Sequence, residues 1–187
     1  MKSGIRAIET RFDNIMFRSR IEARWAMVFK QLGIRYIYEQ ERYEMFYNGV
    51  KFVYMPDFNL IDLNCFVEVK GKQPNGRERN VAWVLSKYTD CLVHIVFGQI
   101  PYPFIDDWYR YDFDTFTYDA TFMRFGQHIP TKYALNQCSK CSRIEFVPNG
   151  DRALISCGCE RINTNLPTRK IASAFMRARM ERFDRKR

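Results

Sequence analysis

The sequence has no apolar run that approaches the length of a membrane-spanning helix. Its first residues, Met-Lys-Ser-Gly-Ile-Arg, lack the apolar core of a signal peptide. It also lacks a lipidation signal and an amphipathic anchor. These absences predict a protein that stays in a reducing cytoplasm and has no membrane partner.

Acidic residues are fewer than basic ones, with 21 Asp and Glu against 30 Lys and Arg. The resulting net charge of +9 predicts a polyanionic partner, and nucleic acid is the first candidate. The 187 residues, 47% of them hydrophobic, suffice for one globular domain and a small appendage.

The six cysteines are expected to be metal ligands or buried thiols, because disulfides are rare in a reducing compartment. Cys65 and Cys91 lie in strand-like runs and are interpreted as plain hydrophobic residues. The others form two pairs, Cys138 with Cys141 and Cys157 with Cys159, separated by a predicted hairpin of residues 144–147 and 153–155. Four thiolates there would make a structural Zn²⁺ site of the ribbon kind. The second pair has a gap of only one residue, and free core thiols are the alternative.

The order of predicted elements indicates an α/β fold. Ser19 opens a helix whose apolar residues recur at helical spacing until Gly33. Strands are then predicted over 34–45, 51–61 and 65–70, followed by a helix over 77–88 and a buried strand over 91–97. Residues 2–18 are interpreted as a basic arm, and His94 in the last strand as a core histidine.

The stretch from Met55 to Lys72 carries charges inside apolar runs. Because side chains alternate along a strand, Glu68 and Lys70 should project on one face and Val67 and Val69 on the other. A hairpin through residues 62–64 would bring Asp57 beside Glu68. Two carboxylates on adjacent strands are half of the oxygen cage that a hard divalent cation requires.

Glu22 borders the apolar stripe of the first helix. Ser19 and Glu22 are three residues apart, which is the spacing of a helix capping box, so a capping role is one interpretation. A place in an acidic site is the other.

Glu22, Pro56-Asp57 and Glu68-Val69-Lys70 resemble the PD-(D/E)XK nuclease superfamily over roughly Phe17 to Gly98. Within it, the chain is most similar to the phage endonuclease I type of Holliday-junction resolvase. Four segments carry this likeness in order: Phe17-Arg18-Ser19 with Glu22, Gly33 to Glu39, Tyr54 to Phe58, and Phe66 to Gly71.

The resemblance implies a restriction-endonuclease-like core, with a mixed central sheet flanked by helices, and a Mg²⁺-dependent DNA endonuclease that cleaves branched DNA. It implies that Glu22, Asp57 and Glu68 hold one or two Mg²⁺ (or Mn²⁺), that the Val69 carbonyl joins them, and that Lys70 orients or activates the attacking water. It also implies a homodimer, which a phage-encoded protein would form in the cytoplasm of a bacterial host.

The C-terminal part departs from this resemblance. The nuclease core is predicted over 1–130, including an acidic and aromatic hairpin at 106–119, and the zinc-ribbon-like segment with a basic helix over 131–187. The helix, within 168–187, should dock weakly and show a basic face to DNA; a merely solvated helix is the alternative. The predicted DNA contacts are Arg18, Arg20, Lys72, Arg169, Lys170, Arg177 and Arg179.

Two other functions stay open. An exonuclease or a sequence-specific nuclease would use the same four residues, because substrate choice depends on loops. A noncleaving DNA-binding subunit of a larger complex would use the ribbon and the basic helix instead.

Overall fold

The computed structural model describes residues 7–100, 121–122, 128–129, 133–148, 153–154, 156–159, 161–162 and 168–183. The predicted hairpin at 106–119 lies outside these residues. The described part is a mixed α/β structure with a mixed six-stranded sheet and three α-helices. None of these helices has the length and apolarity needed to span a lipid bilayer.

The N-terminal segment forms a hairpin of β1 (Thr10–Phe12) and β2 (Ile15–Phe17), so the prediction of a basic arm over 2–18 is wrong for its second half. Asp13 and Asn14 both adopt positive φ, of 51° and 63°, as a two-residue hairpin turn with the twist of its strands requires. Phe17 is fully buried, and it anchors the hairpin in the core.

Helix α1 (Arg20–Leu32) confirms the prediction of a helix between Ser19 and Gly33. The Ser19 hydroxyl accepts a hydrogen bond from the Glu22 amide, which caps the first turn. At the other end Gly33 has a φ of 76°, and its amide donates to Lys30 and Phe29 carbonyls. The apolar face between these caps is buried, and it includes Trp25, Val28 and Phe29.

The central sheet has the strand order β10-β9-β8-β7-β6-β3. Its strands are β3 (Tyr36–Tyr38), β6 (Phe58–Leu60), β7 (Cys65–Lys70), β8 (Leu92–Phe97), β9 (Thr121–Phe122) and β10 (His128–Ile129). Only β7 and β8 pair in parallel among these neighbours. A parallel pair needs a crossover, and helix α2 (Gly76–Thr89) provides it. The helix over 77–88 and the strand over 91–97 are therefore confirmed.

The two long strands predicted over 34–45 and 51–61 are each broken into two. The central sheet takes β3 and β6, while β4 (Tyr43–Tyr47) and β5 (Val50–Tyr54) form a separate hairpin. Pro56 explains the break between β5 and β6, because proline has no amide to donate to a strand neighbour. Met45, on one face of the hairpin, is buried in a cluster with Ala82 and Leu85 of α2.

Strands β6 and β7 pair in the predicted antiparallel register, with Phe58 opposite Val67. They are joined by a 3₁₀ turn (Ile61–Leu63) and by Asn64, which adopts a left-handed conformation with a φ of 49°. Asp57 therefore enters the sheet at the level of Glu68, which confirms that the hairpin brings these two residues together.

In the C-terminal part, each cysteine pair lies in the turn of its own hairpin. The first hairpin is β11 (Tyr133–Gln137) with β12 (Ile144–Pro148), and the second is β13 (Ala153–Leu154) with β14 (Arg161–Ile162). The predicted pairing of 144–147 with 153–155 is wrong, because β12 takes β11 as its partner.

Helix α3 (Arg169–Met180) docks more firmly than its thin apolar stripe predicts. Ile171 and Phe175 are fully buried, and the Phe175 ring meets Trp25 of α1 edge-on at 5.5 Å. Small side chains permit the close approach, since Ala172, Ala174 and Ala178 are also buried. Near the start of α3, Lys170 lines a pocket with Leu32 and Gly33 at the end of α1, so the two helices run antiparallel.

The main hydrophobic cluster contains side chains from both sides of the predicted division at residue 130, among them Phe58, Leu135 and Phe175. Phe146 stacks on His94 of the central sheet at 4.1 Å. Burial lowers the pKa of His94 to about 3, so this residue is a neutral core histidine, as predicted. The division into 1–130 and 131–187 stays a prediction.

Candidate active site and cysteine cluster

The carboxylates of Asp57 and Glu68 each accept a backbone hydrogen bond from the opposite side of the β6–β7 hairpin. The Asp57 carboxylate accepts from the Val69 amide at 2.7 Å, and the Glu68 carboxylate accepts from the Asp57 amide at 3.3 Å. Both side chains are almost completely buried, with 6% and 3% of each residue exposed. The backbone therefore fixes two carboxylates side by side at the point where the two strands begin to separate.

Lys70 projects on the same face of β7 as Glu68, as the alternation predicts, and its ammonium lies 2.5 Å from the Glu68 carboxylate. Glu78 of α2 lies farther away, at 3.9 Å. Burial alone would lower the pKa of Lys70, but Glu68, Asp57 and Glu78 outweigh it and raise the pKa above the ordinary value. Lys70 is therefore a protonated cation at neutral pH.

Burial raises the pKa of the Asp57 carboxyl well above its usual range, and the neighbouring Glu68 carboxylate raises it further. Burial and Glu68 likewise raise the pKa of Tyr54. Both shifts have the same two causes, which are the poor solvation of these groups and the nearby Glu68 carboxylate. A bound cation would stabilise the ionised carboxylates and lower the pKa of Asp57.

Glu22 has a second role besides helix capping. Its carboxylate accepts hydrogen bonds from the Tyr38 hydroxyl at 2.6 Å and from the Arg18 amide at 3.1 Å. In a complete capping box the glutamate carboxylate also accepts a hydrogen bond from the amide of the N-cap residue, as Glu78 accepts from Asn75 in α2. Glu22 instead accepts from the Ser19 hydroxyl, at 2.6 Å, so two side chains and one backbone amide hold its carboxylate.

One open pocket of about 530 Å³ brings these residues together. All five predicted active-site residues line it, namely Glu22, Asp57, Glu68, Val69 and Lys70. The predicted DNA contact Arg18 lines it too. Arg42 and Tyr54 line it as well. Tyr54 lies in one of the four segments that carry the resemblance, whereas no spacing in the sequence marks Arg42. The Arg18 guanidinium pairs with Glu39 and lies 3.8 Å from Asp57.

The three carboxylates are less tightly gathered than the four cysteines. Among the described residues, the cysteines alone form a group of three or more candidate ligands whose donor atoms all lie within 4.8 Å of one another. The carboxylate oxygens are instead engaged with the Tyr38 hydroxyl, the Val69 amide and Lys70. Their donor type nevertheless suits a hard cation, because such ions take oxygen ligands.

The predicted DNA contacts fall in three places. Arg18 lines the pocket, and Lys72 follows Lys70 by two residues in the chain. Arg169 and Lys170 are exposed at the start of α3, near the cysteines, and Arg177 is exposed near its end. The remaining two are only half-buried, Arg20 on the first turn of α1 and Arg179, which donates to the Ile100 carbonyl at 2.6 Å. These residues do not form a single surface.

The four cysteines of the two hairpin turns converge as predicted, with their sulfur atoms within 4.8 Å of one another. The first turn is closed by a bond from the Ser142 amide to the Cys138 carbonyl, at 2.9 Å. In the second turn, Gly158 has a φ of 68°, which allows the chain to reverse direction with only one residue between the two cysteines. A tetrahedral zinc–thiolate site has sulfur atoms about 3.8 Å apart, so the arrangement can hold a structural metal ion such as zinc.

The thiols of the cluster differ in pKa. A hydrogen bond from the Arg143 backbone lowers the pKa of Cys141 to about 7, whereas the neighbouring Cys157 thiol raises the pKa of Cys159 to about 12. A metal ion binds thiolates, so it would displace the remaining protons.

Comparisons with protein-family models, with curated proteins and with solved structures found no match.

Proposed function

We propose that this protein is a divalent-metal-dependent DNA endonuclease of the PD-(D/E)XK kind. The observation that carries the proposal is the pair of buried carboxylates, Asp57 and Glu68, fixed on adjacent strands with the Lys70 ammonium 2.5 Å from Glu68 at an open pocket. The resemblance in sequence and the pocket point to the same residues independently.

Glu22, Asp57 and Glu68 would hold one or two Mg²⁺ or Mn²⁺ ions, with the Val69 carbonyl as a further oxygen ligand. The fit rests on the donor set, because three buried carboxylates line one pocket and a hard cation takes oxygen ligands. When bound, such an ion stabilises negative charge on a phosphodiester and lowers the pKa of bound water.

The chain's own residues contribute positioning and charge. Lys70 carries a positive charge beside Glu68, where it can donate a hydrogen bond to the attacking water or to a phosphate oxygen. Arg18 adds a second cation at the same pocket, 3.8 Å from Asp57. The Tyr38 hydroxyl and the Arg18 amide orient the Glu22 carboxylate toward the pocket.

A restriction-endonuclease-like core is part of this proposal. The mixed sheet supports it, because Glu68 on β7 and Asp57, next to β6, form the acidic pair while α1 contributes Glu22. The four-cysteine cluster is proposed to bind one structural Zn²⁺, since a closed set of four thiolates leaves no position open for a substrate.

Branched DNA is the proposed substrate and a homodimer the proposed active form. Each chain has one pocket of this kind among its described residues, so one chain supplies one cut. Resolving a four-way junction needs two cuts related by a twofold axis, which a symmetric dimer provides.

Cleavage of linear, forked and four-way DNA, with Mg²⁺ or with EDTA, tests the proposal. The wild-type protein should cut the four-way junction fastest and only with the metal. Asp57→Asn should reduce cleavage by at least about a hundredfold. The matched control is Asp62→Asn, at the other end of the same hairpin, where an exposed aspartate pairs with Arg35. Tight DNA binding without cleavage in the wild type would favour a noncleaving subunit instead.

A further inference from the structure

Three arginines from two helices gather beside the start of α1. Arg20 and Arg24 are one helical turn apart, so their side chains share a face of α1. Because α3 runs antiparallel to α1 and its Phe175 contacts Trp25, Arg179 lies one turn farther toward the start of α1. Like charges at this spacing repel each other, so a bound anion would stabilise the cluster.

Neither Arg20 nor Arg24 has such an anion within the described part of the chain. The Nε–H groups of both arginines are buried and have no hydrogen-bond acceptor. Burial lowers the pKa of Arg24, and the charges of Arg20 and Arg179 lower it further, with no acidic group acting against them. By contrast, the Nε and one Nη group of Arg35 donate to the Asp62 carboxylate, at 2.9 Å and 2.6 Å.

The cluster lies next to the candidate active site but outside it. Arg18, which lines the pocket, precedes Arg20 by two residues, while Arg20 and Arg24 are not among the pocket's lining residues. Arg20 and Arg24 each stand two residues from Glu22, so they project from the face of α1 opposite Glu22, at the same end of the helix as the pocket. The N-terminus of a helix adds a partial positive charge of its own.

We propose that Arg20, Arg24 and Arg179 bind a backbone phosphate of the DNA substrate that flanks the scissile phosphate. The site deepens the proposed nuclease function and rests on it for the identity of the ligand. Two guanidinium groups without an acidic partner among the described residues suit one phosphate, because arginine forks match phosphate geometry. The cluster would fix the register of the strand without reading its sequence.

The test measures binding of a fluorescein-labelled four-way junction in EDTA, where no cleavage is needed, over a series of salt concentrations. The Arg20→Gln/Arg24→Gln double variant should reduce the slope of log affinity against log salt by about one unit, the effect of one lost phosphate contact. Arg24→Gln alone should bind more weakly than wild type. Arg35→Gln, which removes the same charge from an arginine with its own partner, should keep the wild-type slope.

Thermal unfolding without DNA separates a binding role from a structural one. Arg24→Gln should unfold at the wild-type temperature or above it, because the substitution relieves repulsion between like charges. An unchanged salt slope in the double variant would overturn the proposal, whether or not the wild-type protein cleaves DNA. A reduced slope in a protein that cuts no DNA would uphold the phosphate site and reject the nuclease assignment.

Discussion

The contact between Lys70 and Glu68 predicts that removing the lysine charge alone destabilises the protein, and that removing both charges restores most of the lost stability. Glu68 is 3% exposed, and Lys70→Met removes the cation 2.5 Å from its carboxylate. Removing one partner of a fully buried pair costs about 3–5 kcal/mol. The Lys70 side chain is 27% exposed, so water screens part of this loss, and we expect about 2 kcal/mol.

In a chain of this size, each kcal/mol shifts the unfolding temperature by about 2–4 °C, so metal-free Lys70→Met should unfold about 4–8 °C below wild type. The double variant Glu68→Gln/Lys70→Met removes both charges and should recover most of the loss. Added Mg²⁺ should stabilise Lys70→Met more than wild type, because it would replace the missing positive charge.

Circular dichroism during heating, at neutral pH and with EDTA, measures these shifts. The pKa of Lys70 is raised in the folded protein, so the stability that the Lys70–Glu68 pair contributes is complete below the ordinary lysine value of 10.5. This stability is lost as the pH rises through the higher pKa of the folded state. The control is Lys51→Met, which breaks the exposed pair with Glu44 and should cost less than about 1 kcal/mol. If the double variant is as unstable as the single one, the reasoning about the buried charge is wrong.

Three further predictions concern the metal cluster, the third helix and the assembly. Protein purified without added metal should contain one Zn²⁺ per chain by elemental analysis, and Cys141→Ser should lower that content and the unfolding temperature; equal zinc in both would reject the site. Phe175→Ala should cost about 3–5 kcal/mol in chemical denaturation, because Phe175 is fully buried against Trp25, and a loss below about 1 kcal/mol would contradict the docking of α3. Light scattering with and without a four-way junction should give twice the chain mass of 22.5 kDa, and a monomer in both would remove the resolvase proposal while leaving the metal chemistry in place.

Local patterns in the sequence were sufficient to predict the elements that carry the pocket. Helix α1 has both caps and a long apolar stripe, and β7 has strict alternation around Glu68, so each element is specified by its own residues. Asp57 and Glu68 could be placed together because the break at residues 62–64 between the two predicted strands is short enough to suit a hairpin turn. The pairing of Glu22 with Tyr38 could not be predicted, since it depends on how α1 packs against β3.

Sequence patterns were insufficient where a tertiary partner decides the outcome. The residues of β4 and β5 have strand-like composition, but only packing on α2 makes them a separate hairpin. Asp13-Asn14 is a weaker turn signal than Asn-Gly, so the β1–β2 hairpin was missed. Arg24 is unremarkable within its helix, and it becomes part of a charged cluster only when α3 brings Arg179 beside it.

Binding of Mn²⁺ to zinc-loaded protein, followed by electron paramagnetic resonance, tests most directly whether the carboxylate pocket holds a hard cation. Wild-type protein and Asp62→Asn should each bind one or two Mn²⁺ with equal affinity. Asp57→Asn should bind at least about tenfold more weakly, because it removes a charged oxygen ligand from the pocket. Equal Mn²⁺ binding by all three proteins, or none by the wild type at millimolar concentrations, would contradict the assignment of Glu22, Asp57 and Glu68 as the metal site.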